Sequence, residues 1–259
     1  MPLDEPLYLA VLNLTPDSFS DGGLFLDPAQ AAAHAIQLLA QGANIVDIGA
    51  ESTRPGSQPI GPQEEWRRIE PALSLLKKTA PDCILSIDTR HPEVAHQALN
   101  QGVDIINDIA GFQNAEMLDL ASGSNCGLIA TRGRMTDGRL LAPDYSDLSP
   151  RSADEAVSEI GLIRDRLLSA DIDPERIVLD PGFGFGTTFL EDQAIWNALP
   201  HLPSLLNWPI ERFCIGISRK RFVACTFEIS GNIPLDAKTA EMHKHAMEIG
   251  YKIFRTHAV

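Results

Sequence analysis

Short polar residues, which hold a rigid ligand with little rotamer entropy to lose, recur at fixed places in this sequence. Each stands where a short apolar run ends. They are Asn13 after "LYLAVL", Asp47 in "NIVDIGA", Asp88 in "CILSIDT", and Asn107 with Asp108 in "DIINDIA". Then come Thr131 in "GLIAT", Asp180 in "RIVLDPG", Ser218-Arg219-Lys220 after "RFCIGI", and Arg255 with His257 in "YKIFRTH". Asp88, Asn107, Asp180 and Lys220 offer carboxylate acceptors, an amide that both donates and accepts, and a single cation. That set matches a flat heterocycle with adjacent N–H donors and a carbonyl, such as an aminopyrimidinone. Arg54, Arg255 and His257, with Asn13 nearby, offer donors suited to phosphate oxygens or a metal-bridged diphosphate. A nitrogen heterocycle and an anion would then lie side by side.

The elements that must position these residues follow from the same pattern. The eight apolar runs alternate with amphipathic or Ala-rich stretches, among them 27–42, 62–80, 91–102 and 152–171. Asp27-Pro28 fits an N-cap with Pro in the first turn, and Ser152 with Glu155 fits a capping box. Near-continuous apolar strands suit a parallel sheet covered on both faces. Eight strands with intervening helices predict a closed (β/α)8 TIM barrel of the α/β class, a single domain over 1–259, with its chemistry at the C-terminal strand ends. His243 and His245 are two apart on an expected helix, share no face, and predict no metal site. Glu64, Glu65, Arg67 and Arg68 read as a solvated helix face, with Trp66 as a packing residue.

Two connections are long for such a fold, where roughly 2–6 residues suffice, and are expected to act as lids. "NLTPDSFSDGGLFLD" carries Asp17, Ser18, Ser20 and Asp21, and "ESTRPGSQPIGP" sets Arg54 between Thr53 and Pro55. "PGFGFG" lacks both the Lys-Ser/Thr ending of a P-loop and dinucleotide spacing. Its Phe183 and Phe185 are expected to form a wall for an aromatic ring.

Composition removes several classes of partner. A formal net charge of −14 argues against nucleic acid and anionic membranes. No apolar run approaches the roughly 20 residues of a membrane span, and the acidic start does not read as a signal peptide. Cys83, Cys126, Cys214 and Cys225 form no C-x-x-C pair, as expected of reduced thiols in the cytoplasm.

"NLTPDSFSDGG", "DIGAESTRPG", "SIDT", "IINDI", "DPGFGFG", "GISRK" and the final R-x-H resemble, in order, the dihydropteroate synthase family. The resemblance implies a TIM barrel that condenses a pterin pyrophosphate with p-aminobenzoate in folate synthesis. It implies pterin contacts from Asp88, Asn107, Asp180 and Lys220. Pyrophosphate contacts would come from Thr53, Arg54, Arg255 and His257, and a Mg²⁺ contact from Asn13. Asp21, Pro55, Phe185 and Ser218 would surround the p-aminobenzoate, with Asp21, Arg54 and Lys220 assisting catalysis.

The sequence departs from the family at Thr187 (usually Lys), at "IATRGRM" in strand five (usually Met-His), at Ala258 (usually Asp), and in "PLDAKTAEMHKHAMEIG". A pterin-binding barrel without condensing activity, a weakly active paralogue and an inactive scaffold are the other readings. The loops with Asp21 and Arg54 favour the enzyme, because a pure pterin binder grips no diphosphate. The family's eighth helix is expected to be missing, so Tyr251 with Ile253, or Lys252 with Phe254, would face outward uncovered. A homodimer contact or a frayed last strand is the expected consequence.

Overall fold

The computed structural model describes residues 5–15, 27–52, 58–136, 139–141 and 152–259. Asp17, Ser18, Ser20, Asp21, Thr53, Arg54 and Pro55, and with them the middle of each expected lid, lie outside the described residues.

The chain alternates strands and helices: β1 (Leu7–Asn13), α1 (Pro28–Ala40), β2 (Ile45–Gly49), α2 (Pro62–Thr79), β3 (Ile84–Asp88), α3 (Pro92–Asn100), β4 (Ile105–Asp108), α4 (Ala115–Ser122) and β5 (Gly127–Thr131). A small hairpin of β6 (Met135–Thr136) and β7 (Arg139–Leu140) precedes α5 (Ala153–Ser169) and β8 (Ile177–Asp180). Then follow α6 (Phe189–Ala198), α7 (Leu202–Leu206), β9 (Cys214–Ile215), α8 (Arg221–Phe227), α9 (Asn232–Ile249) and β10 (Ile253–Thr256). The caps match the sequence reading: Asp27 accepts from Ala29 N, and Ser152 and Glu155 form a reciprocal capping box.

The eight barrel strands are parallel, in the order β8-β5-β4-β3-β2-β1-β10-β9. One further bridge, Leu179 to Phe213, brings β8 to the start of β9 and closes the ring. Strand side chains alternate in direction, so each strand contributes every second residue to the interior. The lower interior is an apolar plug of Leu9, Ile45, Ile129, Cys214 and Ile253, with Ile105 and Val178 packed on it. Two residues further along the same strands the inward positions turn polar: Asp47, Asn107, Thr131, Asp180 and Arg255. The outward positions, such as Val46, Ile48, Leu85, Ile106, Leu179 and Phe254, join the helices in one large core.

Two expectations fail here. Tyr251 and Phe254 are not exposed: both are fully buried. The Tyr251 ring meets Phe213 edge-on, and its hydroxyl donates to Leu199 O at 2.8 Å. Phe254 packs 4.7 Å from the His243 ring of α9 and 6.1 Å from Tyr8, while Ile253 enters the interior plug. The 18-residue α9 covers the outer face of β10 from its own side, so that wall gives no reason for a second copy of the chain. Second, Glu65 is not solvated. It lies with Ile69, Ala72, Leu73 and Leu76 on the buried face of α2, accepts from Thr89 Oγ1 at 3.1 Å, and leaves Oε1 unpaired. Burial raises its pKa to about 8. Glu64 and Arg67 do form the exposed pair expected of a solvated face.

Candidate active site at the barrel mouth

The inward polar layer gathers into one constellation. Arg255 at the end of β10 donates from Nε to Asp47 Oδ2 at 2.7 Å and from Nη2 to Asp88 Oδ2 at 2.6 Å. Asn107 Nδ2 donates to the same Asp47 oxygen at 3.1 Å. Asp180 accepts from Gly182 N at 2.7 Å through Oδ1. Its Oδ2 would lie 3.1 Å from a Cβ built on Gly216, with Lys220 Nζ at 3.9 Å and Arg255 Cβ at 3.7 Å from the same point. Asp180, Lys220 and Arg255 thus converge over Gly216, and a side chain there would fill the space between them.

Lys220 Nζ donates to Phe183 O at 2.5 Å and stands 3.7 Å above the centre of the Phe185 ring. The sequence reading gave both phenylalanines one role, and the structure separates them. Phe185 stays at the mouth under Lys220. The Phe183 ring is buried among Trp196 and Phe222, and its carbonyl, not its ring, reaches the site. Ser218 Oγ accepts from His257 N at 3.1 Å and lies 3.1 Å from His257 Nδ1, so these two tips support each other. Asp108 turns away from the interior: it accepts from Ala110 N and Phe112 N at 2.8 and 2.7 Å and shapes the turn after β4.

Burial sets the electrostatics of this layer. It raises the Asp88 carboxyl to about 7 against the pull of Arg255, and it raises Asp180 against the pull of Lys220. Burial lowers Lys220 to about 8, with Asp180 opposing. Burial alone would lower Arg255 as well, but Asp47 and Asp88 outweigh it and hold the guanidinium charged. Among the described residues of this layer, the three carboxyl groups of Asp47, Asp88 and Asp180 face the two cations Lys220 and Arg255, an excess of acceptors. Asp47 Oδ1 and Asn107 Oδ1 are buried without partners, two acceptors free for a donor-rich ligand.

The expected partition of the tips into a heterocycle set and an anion set is not a spatial one. Arg255, placed in the anion set, is tied to Asp47 and to Asp88 of the heterocycle set. Asp47 itself was read as a strand tip without a role and proves to be the node between Arg255 and Asn107. The register could have shown it, since Asp47 stands beside Val11 and Ser86 one inward step below the level of Asp88 and Asn107.

The bases of the loops are also built. Glu51, leaving β2, accepts from Ile60 N at 3.1 Å and from Arg90 Nε and Nη2 at 2.6 and 2.8 Å. His91 Nε2 lies 3.2 Å from Ile60 O. Both ends of the connection that carries Thr53, Arg54 and Pro55 are therefore fastened to the exit of β3. Arg132 and Arg134, just past β5 in the "IATRGRM" stretch, brace the turn after β8: Arg132 Nε donates to Pro181 O at 2.8 Å and Arg134 Nη1 to Gly186 O at 3.1 Å. Asn13, at the rim of β1, is half-buried. Among the described residues, no group of three His, Cys, Asp or Glu side chains could cage a metal.

The family model described as "Pterin binding enzyme" matches residues 9–257. A dihydropteroate synthase of Neisseria meningitidis serogroup C is 36% identical over 99% of this chain and 89% of its own. The Burkholderia cenocepacia dihydropteroate synthase complexed with 7,8-dihydropteroate superposes with a TM-score of 0.81 at 30% identity, over 99% of this chain and 88% of that one. The Thermus thermophilus enzyme in complex with 6HMPPP gives a TM-score of 0.79 at 30% identity, over 99% and 90%. A barrel whose mouth presents buried acceptors and two cations, matched over nearly its whole length to these proteins, belongs to the pterin binding enzyme family.

Proposed function

We propose that this chain is a dihydropteroate synthase, a transferase that joins 6-hydroxymethyl-7,8-dihydropterin pyrophosphate to p-aminobenzoate, giving 7,8-dihydropteroate and pyrophosphate in folate biosynthesis. The observation that carries this reading is the mouth itself: Asp180, Lys220 and Arg255 converge over the Gly216 gap, with Asp88 bound to Arg255 and Asn107 joined to it through Asp47. The relatives with 7,8-dihydropteroate and 6HMPPP bound support the same reaction.

In this reading Asp180 and Asn107 take the ring N–H groups, Lys220 donates to a ring acceptor, and the Phe185 face flanks the bound rings. The bond between the pterin CH₂ and the bridging diphosphate oxygen breaks, and the oxygen leaves with the electron pair. The arylamine nitrogen forms the new bond to that carbon and then releases a proton. Positive charge developing on the pterin meets the carboxyl groups of Asp47, Asp88 and Asp180, which among the described residues of the mouth outnumber Lys220 and Arg255, an arrangement that favours the charge. Arg54 and His257, with whatever donors Arg255 keeps free of Asp47 and Asp88, would meet the diphosphate. Asp21, Thr53, Pro55 and Ser218 would meet the second substrate or the departing group.

Asn13 supplies one amide oxygen, and Mg²⁺ accepts such sparse protein ligation when phosphates complete its shell. When bound there it would neutralise the charge of the leaving group. Four free cysteines support a reducing, cytoplasmic setting. The test is pyrophosphate release by the purified protein, assayed with each substrate omitted in turn and with Mg²⁺ chelated. Release that needs neither p-aminobenzoate nor an intact Asp180 would refute the reading.

A further inference from the structure

The family departure at Thr187 lies beside a buried carboxylate that none of the roles above uses. Asp192, in the first turn of α6, is 3% exposed. Its Oδ1 accepts from Thr187 Oγ1 at 2.7 Å, and both its oxygens lie 3.1 Å from Gly184 N. Gly184 N also lies 2.9 Å from Thr187 Oγ1, so Thr187, Gly184 and Asp192 form a closed triangle. Gly184 has φ +71°, a backbone state that side chains resist, and a Cβ there would stand 3.1 Å from Lys220 Cδ. The triangle therefore fixes the middle of the Phe183–Phe185 turn. One neighbour of Gly184 gives Lys220 its carbonyl partner and the other gives it a ring face.

We propose that Thr187 and Asp192 are positioning residues for Lys220. The Asp192 carboxylate, held by Thr187 and Gly184, sets the Phe183–Phe185 turn against the ammonium and shares its charge. The consequence for binding rests on the assignment of Lys220 to the pterin heterocycle. Among the described residues, the charged and titratable groups facing Lys220 come from four elements: Asp180 at the end of β8, Asp192 on α6, Arg255 on β10 and the neutral Cys214 thiol on β9. Asp180 and Asp192 favour the ammonium and Arg255 opposes it, so losing the Asp192 charge leaves Asp180 as the main support. Asp192 itself faces Lys220 and Arg132 as well as its hydrogen-bond donors, and burial raises its own pKa. A Thr at 187 donates to it without adding a competing cation.

The test reads Lys220 directly. Lysine-labelled protein is titrated by NMR, with the Lys220 signal assigned from Lys220→Met. Asp192→Asn, which keeps the shape, is expected to lower the Lys220 midpoint by about one pH unit. Thr187→Val should move it the same way by less, and Thr187→Ser should restore it, so the test stands even if Asp192→Asn fails to fold. Binding of 6-hydroxymethylpterin should lose its alkaline limb at correspondingly lower pH, and Thr187→Val should weaken it about fivefold. A fall in melting temperature with an unmoved Lys220 midpoint in both variants would reduce the triangle to packing and overturn the proposal. If the midpoint moves but the unaltered protein binds no pterin, the positioning role stands and the heterocycle assignment falls.

Discussion

Replacing Arg255 by Met tests the electrostatic design of the mouth. The side chain bridges Asp47, which is wholly buried, and Asp88 through contacts of 2.7 and 2.6 Å. Removing one partner of a buried pair costs about 3–5 kcal/mol, because the remaining charge is left without compensation. Here two carboxylates lose the same partner, and folded domains are stable by only about 5–15 kcal/mol. The loss must depend on pH, and its sign follows from Asp88. Its carboxyl is raised from 3.8 to about 7 in the folded protein. That shift contributes stability below the unfolded pKa, and the contribution disappears as pH rises through the folded one. Without Arg255 the folded pKa rises further, and each added unit is worth about 1.4 kcal/mol at high pH. Urea unfolding of Arg255→Met should therefore show a modest loss at pH 5, where the Asp88 carboxyl takes up a proton, and a loss of about 3 kcal/mol or more at pH 8. An equal loss at both values would refute the reasoning, since a packing defect does not titrate.

Asp180→Asn should weaken 6-hydroxymethylpterin binding by about 1–3 kcal/mol in calorimetry, because a ring donor then faces an amide able to turn its own donor inward. Affinity within a factor of two of the unaltered protein would remove Asp180 from the ligand's contacts. Glu65→Gln should change the melting temperature little at pH 7 and raise it relative to the unaltered protein above pH 8. The buried Glu65 has its pKa raised to about 8, so the stability it contributes is lost as pH climbs through that value, and Gln does not titrate. Glu51→Ala should speed amide exchange at Ile60, whose N–H loses its acceptor, without changing exchange in the β4–β5 region; unchanged protection at Ile60 would show that the loop base is held by other groups.

The barrel was legible because parallel strands buried on both faces announce themselves as apolar runs, and the polar residues ending them mark the mouth. Asp88, Asn107, Asp180 and Lys220 were found that way. Which partner each would choose was not legible, because those pairings join different strands and loops, 37 positions apart for Lys220 and Phe183, 60 for Asn107 and Asp47 and 167 for Arg255 and Asp88. A backbone carbonyl leaves no trace in residue type, so Phe183 drew attention for its ring. Two misreadings had a usable signal. Glu65 stands four residues before Ile69 on the same helical face, a spacing that pointed to burial and went unused. His243 likewise shares the buried face of α9 with Leu235, Thr239, Met242 and Ala246, which is how that helix comes to cover β10.

The barrel ring is not laced evenly. Most neighbouring strands share four or five paired positions, β9 and β10 share two, and β8 meets the segment before β9 at the single Leu179–Phe213 bridge. Asp180 belongs to one lip of that seam and Lys220 to the other. A heterocycle hydrogen-bonded to both would act as a stitch, supplying across the seam the cohesion that the backbone leaves out. Occupancy and mechanical stiffness of the whole cylinder then become one property. Protection of the Phe213 and Ile215 amides against exchange should rise with ligand more than that of the β2–β3 amides, and an even rise around the ring would show that the seam is no softer than the rest.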